Sequence, residues 1–160
     1  MGLVMDTARL IEFLGHGSSH PALDEFLTAH GVVRRPETDG ATEDILSEDG
    51  TVLLTFQSQL TFDKESLLPR KSEGRYILAG VTFRRAFAHP LPHGLSLDKD
   101  RATIDKLLGP ARRERARLPS ATYYFDNLVI VVNRSRAKPD DASIGFWAPD
   151  IYDRDTLGLI

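Results

Sequence analysis

Histidines are the side chains in this sequence best suited to metal binding or acid–base chemistry. His16 with His20, and His89 with His93, are four residues apart, the spacing that places two metal ligands on one face of a helix. Neither pair falls on a predicted helix, because glycines bracket the first pair and prolines interrupt the second. Spacing marks no third ligand, and the H-E-x-x-H pattern is absent. The sequence therefore predicts loop histidines and no metal site.

Serine and carboxylate chemistry receives no stronger support. Ser18 and Ser19 stand beside His16 and His20, which suggests a nucleophile and a base, but the G-x-S-x-G elbow is missing. A helix stop at Gly15 followed by a serine cap explains the same stretch. Carboxylates are abundant, yet linear sequence does not show which of them has a raised pKa. Walker A and G-x-G-x-x-G patterns are also absent, so we predict no catalytic residue and no cofactor.

A cluster of arginines raises the question of nucleic acid. Four arginines fall within six residues and precede a pair of tyrosines that could stack on bases: Arg112, Arg113, Arg115, Arg117, Tyr123 and Tyr124. The net charge of −3 and the pI near 5.9 argue against a nucleic-acid footprint. The arginines also follow the carboxyl end of a predicted helix, where positive charge is favourable. No nucleic-acid partner is predicted.

Composition indicates an ordinary globular domain. The 160 residues are 41% hydrophobic and 27% charged, and the absence of cysteine excludes disulfides, thiolate nucleophiles and zinc–sulfur sites. The first 15 residues carry charges within their apolar pattern and predict a helix instead of a secretory signal. No apolar run approaches the roughly 18 residues that cross a bilayer. We expect a cytoplasmic protein that does not associate with membranes.

The first half of the chain predicts two helices followed by strands. Asp6 can cap the first helix, which ends at Gly15, and Ser19 can cap the second, which ends at Gly31. The later predicted elements are a loop over 32–50 with at most a short strand, a strand over 51–61, an exposed excursion over 63–74, and a strand over 75–87 with a bulge at Gly80.

The second half follows the same order after a proline-rich break over 89–94. Its predicted elements are a helix over 99–108 capped by Asp98, strands over 121–125 and 128–132 joined by an Asp126-Asn127 turn, and a strand over 143–147. The segments 8–15 and 102–109 share three of eight positions and both end in glycine. We therefore predict an α+β fold of two imperfect helix-plus-antiparallel-sheet halves, residues 1–88 and 89–160, packed as one compact unit.

One stretch of the second half carries a resemblance. Leu91-Pro92-His93-Gly94-Leu95-Ser96, followed by Leu107-Leu108-Gly109-Pro110 and the hairpin over 123–132, resembles a pattern of small bacterial proteins that include candidate polymorphic-toxin immunity proteins. The order of elements is also similar to the helix-plus-sheet repeat of the β-lactamase-inhibitor-protein fold and of small barrel-assembly lipoproteins. The chain departs from the lipoproteins in lacking a signal and a lipidation cysteine. The resemblance covers the first half only loosely, and it implies a non-enzymatic binding protein.

These observations predict a protein that binds and neutralises a protein partner, such as a secreted antibacterial toxin, by covering its active cleft. Aromatic residues and arginine are concentrated in interfaces, and acidic loops steer basic partners. The predicted contacts are Tyr123, Tyr124, Trp147, Arg113, Arg115, Glu48 and Asp49. One alternative is a small hydrolase, which a deep pocket gathering His16, His20 or His89 beside a carboxylate would favour. Another is an accessory subunit of a larger complex, which an extended apolar patch would favour. The sequence predicts no oligomeric state.

Overall fold

The computed structural model describes residues 4–84, 87–115, 120–134 and 142–157, which form five α-helices and seven strands. The helices are α1 (Thr7–Glu12), α2 (Pro21–Ala29), α3 (Gln59–Glu65), α4 (Arg101–Leu108) and α5 (Ile151–Leu157), with a 3₁₀ turn over Pro92–Gly94. The strands are β1 (Thr42–Leu46), β2 (Val52–Ser58), β3 (Tyr76–Arg84), β4 (Arg113–Arg115), β5 (Ser120–Phe125), β6 (Leu128–Asn133) and β7 (Ser143–Trp147). This composition confirms the predicted α+β class.

All seven strands belong to one antiparallel sheet in the order β1-β2-β3-β7-β6-β5-β4. Strands β1 to β3 precede the proline-rich break and β4 to β7 follow it, so the pairing of β3 with β7 joins the two parts of the chain at the centre of the sheet. One continuous row of side chains crosses every strand: Leu46, Leu53, Thr82, Gly145, Val131, Thr122 and Arg113. The division into two related halves stays a prediction.

A bulge interrupts the pairing of β2 with β3, as the glycine predicted. Gly80 lies opposite Thr55, but Leu78 lies opposite the next residue of β2, so Ala79 is the extra residue on β3. In a strand without a bulge, Leu78 and Val81 are three residues apart and would lie on opposite faces. The bulge instead keeps Leu78 and Val81 in the same hydrophobic core.

The main core fills the space between one face of the sheet and helices α1, α2 and α4. Its largest fully buried side chains from the sheet are Phe56, Tyr76, Phe83, Tyr123 and Phe146, and those from the helices include Leu10, Leu23, Leu27 and Ile104. A smaller cluster joins Phe62 of α3 to Ile77 and Ala79 of β3. The second face of the sheet is thus covered by α3 at β3, whereas Leu46 of β1 remains 41% exposed.

Two helix caps differ from their predictions by one or two residues. His20, not Ser19, is the N-cap of α2, and no side chain caps that helix. Asp100, not Asp98, caps α4 by accepting a hydrogen bond of 2.8 Å from the Thr103 N–H. Asp98 instead accepts a hydrogen bond from Ser96 in the preceding turn. Several acceptors near a helix start compete, and only the path of the chain decides which one caps.

Helices α3 and α5 and strand β4 were not predicted. The strand predicted over 51–61 ends at Ser58, whose hydroxyl caps α3 by accepting a hydrogen bond of 3.2 Å from the Thr61 N–H. The arginine-rich connector forms β4 by pairing Arg113 with Thr122. Three residues are too few to show an alternating pattern, so a partner strand is needed to reveal β4.

The predicted hairpin turn is confirmed. Asp126 and Asn127 adopt φ values of 56° and 61°, the left-handed backbone that a two-residue turn between β5 and β6 requires. None of the helices in the described ranges is long and apolar enough to cross a membrane.

Candidate functional site

Tyr123, one of the predicted partner contacts, lies in the core. Its side chain is fully buried, and its hydroxyl donates a 2.7 Å hydrogen bond to Asp105 Oδ1 on α4. Burial, and secondarily this bond to a carboxylate, raise the pKa of Tyr123 to about 12. A partner at the surface cannot reach this ring, so we remove Tyr123 from the set of candidate contacts.

Trp147 and Tyr124 lie on the second face of the sheet in one cross-strand row, separated by Val129. The indole of Trp147 lies flat over two glycines: a Cβ added to Gly80 would collide with the six-membered ring, and one added to Gly145 would lie 2.7 Å from Nε1. The glycines therefore make room for the half-buried tryptophan. Trp147 is packed onto its own sheet and is not held out toward a partner.

Arg113 and Arg115 lie on β4, at the edge of the sheet nearest to Tyr124. Asp153 of α5 is close enough to Arg113 for their charges to interact. Burial raises the pKa of the Asp153 carboxyl, and the arginine acts against that rise. The side chain of Arg115 lies outside the described residues, as does all of Arg117. The Arg113 guanidinium thus has an acidic neighbour within the fold.

Glu48 and Asp49 lie in the turn between β1 and β2, at the opposite edge of the sheet. Six strand spacings of about 4.8 Å separate β1 from β4, or about 29 Å. The structure therefore brings Tyr124, Trp147 and Arg113 together on one part of the second face but does not bring Glu48 or Asp49 to them.

We call residues 37–49 the acidic end. They carry most of the carboxylates of a longer stretch, between Arg35 and Lys64, that has no positively charged residue. Between Arg35 and Lys64 the chain has no lysine, arginine or histidine. It has seven carboxylates there: Glu37, Asp39, Glu43, Asp44, Glu48, Asp49 and Asp63. The first six lie on or beside the edge strand β1. Arg75 pairs with Asp39 there, and the charge of Arg34 acts on Glu43, so the carboxylates at this edge outnumber the cations beside them.

Asp49 is held in place by its own turn. Its Oδ1 accepts hydrogen bonds from Thr51 Oγ1 at 2.7 Å, Ser47 Oγ at 2.8 Å and the Thr51 N–H at 3.0 Å. The bonds from Thr51, followed by that from Ser47, lower the pKa of the Asp49 carboxyl. The carboxylate is therefore ionised at neutral pH and its Oδ2 is left for other partners.

A cavity of about 240 Å³ opens at the acidic end, between the end of α2, the β1–β2 turn and residues 87–89. Its walls are Met5, Ala29, His30, Ser47, Asp49, Thr51, Val52, Phe87 and His89. His30 is the C-cap of α2 and packs on Phe26 with ring centroids 4.5 Å apart. His89 contacts Phe87 edge-on at 5.2 Å. The two imidazoles thus face a shared space together with the Asp49 carboxylate.

His30 was not among the residues singled out from the sequence. No neighbouring residue in the sequence marks His30 as a binding residue, because the His30-Gly31 pair is explained by the end of a helix. It lines the same cavity as His89 because α2 and residues 87–89 pack on the same side of the sheet. Burial, and next the charge of His89, lower the pKa of His30. Both effects favour the uncharged form of this imidazole.

The cavity is better arranged for binding than for acid–base catalysis. Ser47 and Thr51 donate their hydroxyl protons to Asp49, so neither hydroxyl is directed at an imidazole as a nucleophile. The low pKa of Asp49 also makes it a weak general base and leaves it without a proton to give. A histidine beside a carboxylate is present, as the hydrolase alternative requires, but the supporting hydrogen bonds stabilise a fixed negative charge.

The histidine pair that the sequence did single out, His16 and His20, makes its contacts with other residues of the fold. His16 and His20 stack with centroids 4.1 Å apart, and His16 Nδ1 is 3.0 Å from Ser72 Oγ. The same hydroxyl accepts a 2.9 Å bond from the Gly17 N–H. Burial, then His20 and Lys71, lower the pKa of His16. These contacts tie the loop before β3 to the α1–α2 connection, so the pair has a structural role.

Within the described ranges, no group of three histidine, aspartate or glutamate side chains is arranged to hold a metal ion. No protein family, no curated protein and no solved structure matches this chain.

Proposed function

We propose that this chain is a non-enzymatic binding protein that uses its acidic end to bind and neutralise a basic protein partner, in the manner of an immunity protein that covers the active cleft of a toxin. The observation that carries this proposal is the run between Arg35 and Lys64, which holds seven carboxylates and no lysine, arginine or histidine and includes the edge hairpin of β1 and β2. We place the task in the cytoplasm, the location predicted from the sequence.

The apolar centre of the proposed surface supports this assignment. Leu46 is 41% exposed and lies beside the half-buried Leu53 on the second face of the sheet. Asp44 and Glu48, both exposed, flank Leu46 along the chain. An apolar centre with a charged rim is the usual anatomy of a protein interface. The carboxylates would speed association with a basic partner, and Leu46 would supply contact area.

The aromatic residues contribute less to the proposal than the sequence alone suggested. Tyr123 is buried, whereas Trp147 packs on its own glycines and is half-buried, so Trp147 stays a predicted contact of smaller weight. We keep Glu48 and Asp49 as contacts, with Tyr124 and Arg113 as the edge of a separate surface. The accessory-subunit alternative stays open, since it too would use an exposed edge.

The test is capture of a partner by the full chain, followed by co-expression of that partner with and without the chain. The proposal predicts that the captured protein is toxic alone and harmless with the chain present. A double charge reversal at exposed positions, Glu37→Lys with Glu48→Lys, should weaken the complex by at least about tenfold at low salt. The matched control, Glu12→Lys with Glu73→Lys, has the same net charge and should bind as the unaltered chain does.

Two results would count against the proposal. One is equal binding by both double variants, which would place the interface elsewhere. The other is the absence of any stoichiometric partner whose activity the chain reduces.

A further inference from the structure

The cavity at the acidic end has the size of a side chain and not of a cofactor. Its volume of about 240 Å³ is below the roughly 300–1,000 Å³ of pockets for drug-sized ligands. We propose that it binds a primary alkylammonium group, whose three N–H donors meet the Asp49 carboxylate and the imidazoles of His30 and His89. Such a group is carried either by a free amine or by a lysine side chain of a protein partner.

Charge selects a cation. The three hydrogen bonds to Asp49 Oδ1 hold that carboxylate in its ionised form. A second carboxylate stands at the rim, because Glu48 Oε2 is 3.9 Å from the position of a Cβ on Gly31, the residue after His30. His30 also caps the carboxyl end of α2, which has a partial negative charge. An anion would meet repulsion from all three groups.

The free acceptors match an ammonium group in number. Neither His30 nor His89 makes a hydrogen bond through its ring with any residue that the structure describes. Each imidazole ring offers one acceptor nitrogen whenever it is unprotonated, and Asp49 Oδ2 offers another, so the site can supply three acceptors. A guanidinium has five N–H donors and favours a carboxylate with both oxygens free. Asp49 Oδ1 already accepts three bonds, so an ammonium fits this site better.

The remaining walls suit an unbranched carbon chain. Met5, Val52 and Phe87 are buried apolar residues that line the cavity. They offer contact to the methylene groups behind an ammonium head, as lysine stems find in other proteins. A small inorganic cation would leave this apolar surface in contact with water, so the walls favour an alkylammonium.

The test uses n-butylamine as the probe and the full chain as the receptor, with the imidazole signals of His30 and His89 followed by NMR at pH 7.5. Butylammonium should shift both signals in a saturable manner, whereas butyrate at the same concentration should not. Asp49→Asn removes the charge but keeps an oxygen that can accept from Ser47 and Thr51, and it should weaken binding by about tenfold or more. The control Glu73→Gln removes an exposed carboxylate at a distant loop and should leave binding unchanged.

A second probe, Nα-acetyl-lysine N-methylamide, separates the two sources. Binding of both probes indicates a lysine side chain of a protein, and binding of butylamine alone indicates a free amine; either result supports the proposal. Equal binding of butylamine and butyrate, no saturable shift, or an unaffected Asp49→Asn variant would overturn it. The two proposals share Asp49 but can fail separately, because a free amine needs no partner to bind and the Glu37→Lys, Glu48→Lys test of the partner leaves Asp49 unchanged.

Discussion

The sequence predicted partner contacts both at the acidic end and among the aromatic residues of β5 and β7, but the side chains of the two regions differ in exposure. Around β5 and β7, Tyr123 is buried and Trp147 lies flat on Gly80 and Gly145. At β1, by contrast, Leu46 and Glu48 are exposed and a cavity opens beside Asp49. Aromatic rings have a large gain from burial, so a core or a sheet face takes them up first. Burying an ionised carboxylate costs a large desolvation free energy, so carboxylates remain at the surface, where a partner can reach them.

The largest expected effect tests whether Trp147 is built into the sheet. Gly80→Ala places a Cβ against the indole ring and should lower the free energy of unfolding by about 3 kcal/mol. The chain has one tryptophan, so its fluorescence reports both the displacement of the ring and the unfolding transition in urea. Gly40→Ala is the matched control, because a Cβ there has its nearest neighbour at an ordinary 3.6 Å. Equal midpoints for the two variants would show that Trp147 is not constrained by the glycine.

A smaller effect is expected from the buried tyrosine. Tyr123→Phe removes the 2.7 Å hydrogen bond to Asp105 and should cost about 1 kcal/mol, since Asp105 keeps its bond to Arg101. The raised pKa of Tyr123, about 12, also predicts that stability falls as the pH rises above 10, because the unfolded chain loses this proton first. Urea unfolding at pH 7 and pH 10.5 measures both effects. Tyr124→Phe is the control, and its stability should change little because its hydroxyl is exposed.

At the acidic end, pH should act through His30. Its pKa in the folded chain is below the ordinary 6.5, so the unfolded chain takes up a proton first as the pH falls below 6.5. The free energy of unfolding should therefore fall with pH in that range, and His30→Gln should reduce the slope. His16 has a lowered pKa as well, so part of the slope should remain. An unchanged slope in the variant would mean that the surroundings, including His89, Asp49 and Glu48, leave the His30 pKa at its unfolded value.

The smallest effect on stability is expected at the acidic end, and it can be compared directly with the effect at Trp147. Glu48→Gln at the acidic end should change the free energy of unfolding by less than about 0.5 kcal/mol, because the side chain is exposed. Urea unfolding followed by Trp147 fluorescence would measure it beside Gly80→Ala. A large loss of stability would show that Glu48 supports the fold and is not reserved for a partner.

Local signals in the sequence predicted much of the fold. The Asp6 cap of α1 and the Asp126-Asn127 turn were confirmed, and the bulge predicted at Gly80 lies at its neighbour Ala79. Each depends on a backbone conformation or a cap that one or two residues specify. The starts of α2 and α4 were placed slightly wrong because several acceptors competed for the role. Helix α3 was missed because Ser58 ends a strand and begins a helix within one apolar stretch.

The candidate site was predictable only in part. Asp49 was singled out as an acidic loop residue, but His30 was not, since its partners come from distant segments of the chain. Tyr123 was assigned to a surface because tyrosine is common in interfaces, and residue type alone does not distinguish a tyrosine in a core strand from one in an exposed strand. Which face a strand residue occupies depends on register and on what covers the sheet.

The amino-acid sequence by itself determined the approximate positions of three helices and of the β5–β6 turn, the α+β class, and the charge of the stretch between Arg35 and Lys64. These properties belong to short segments, so they can be read from short segments. Tertiary structure alone decided that β7 pairs with β3, that Trp147 rests on two glycines, and that His30, His89 and Asp49 face one cavity. Those outcomes depend on how segments far apart in the chain pack together, and no local pattern contains that information.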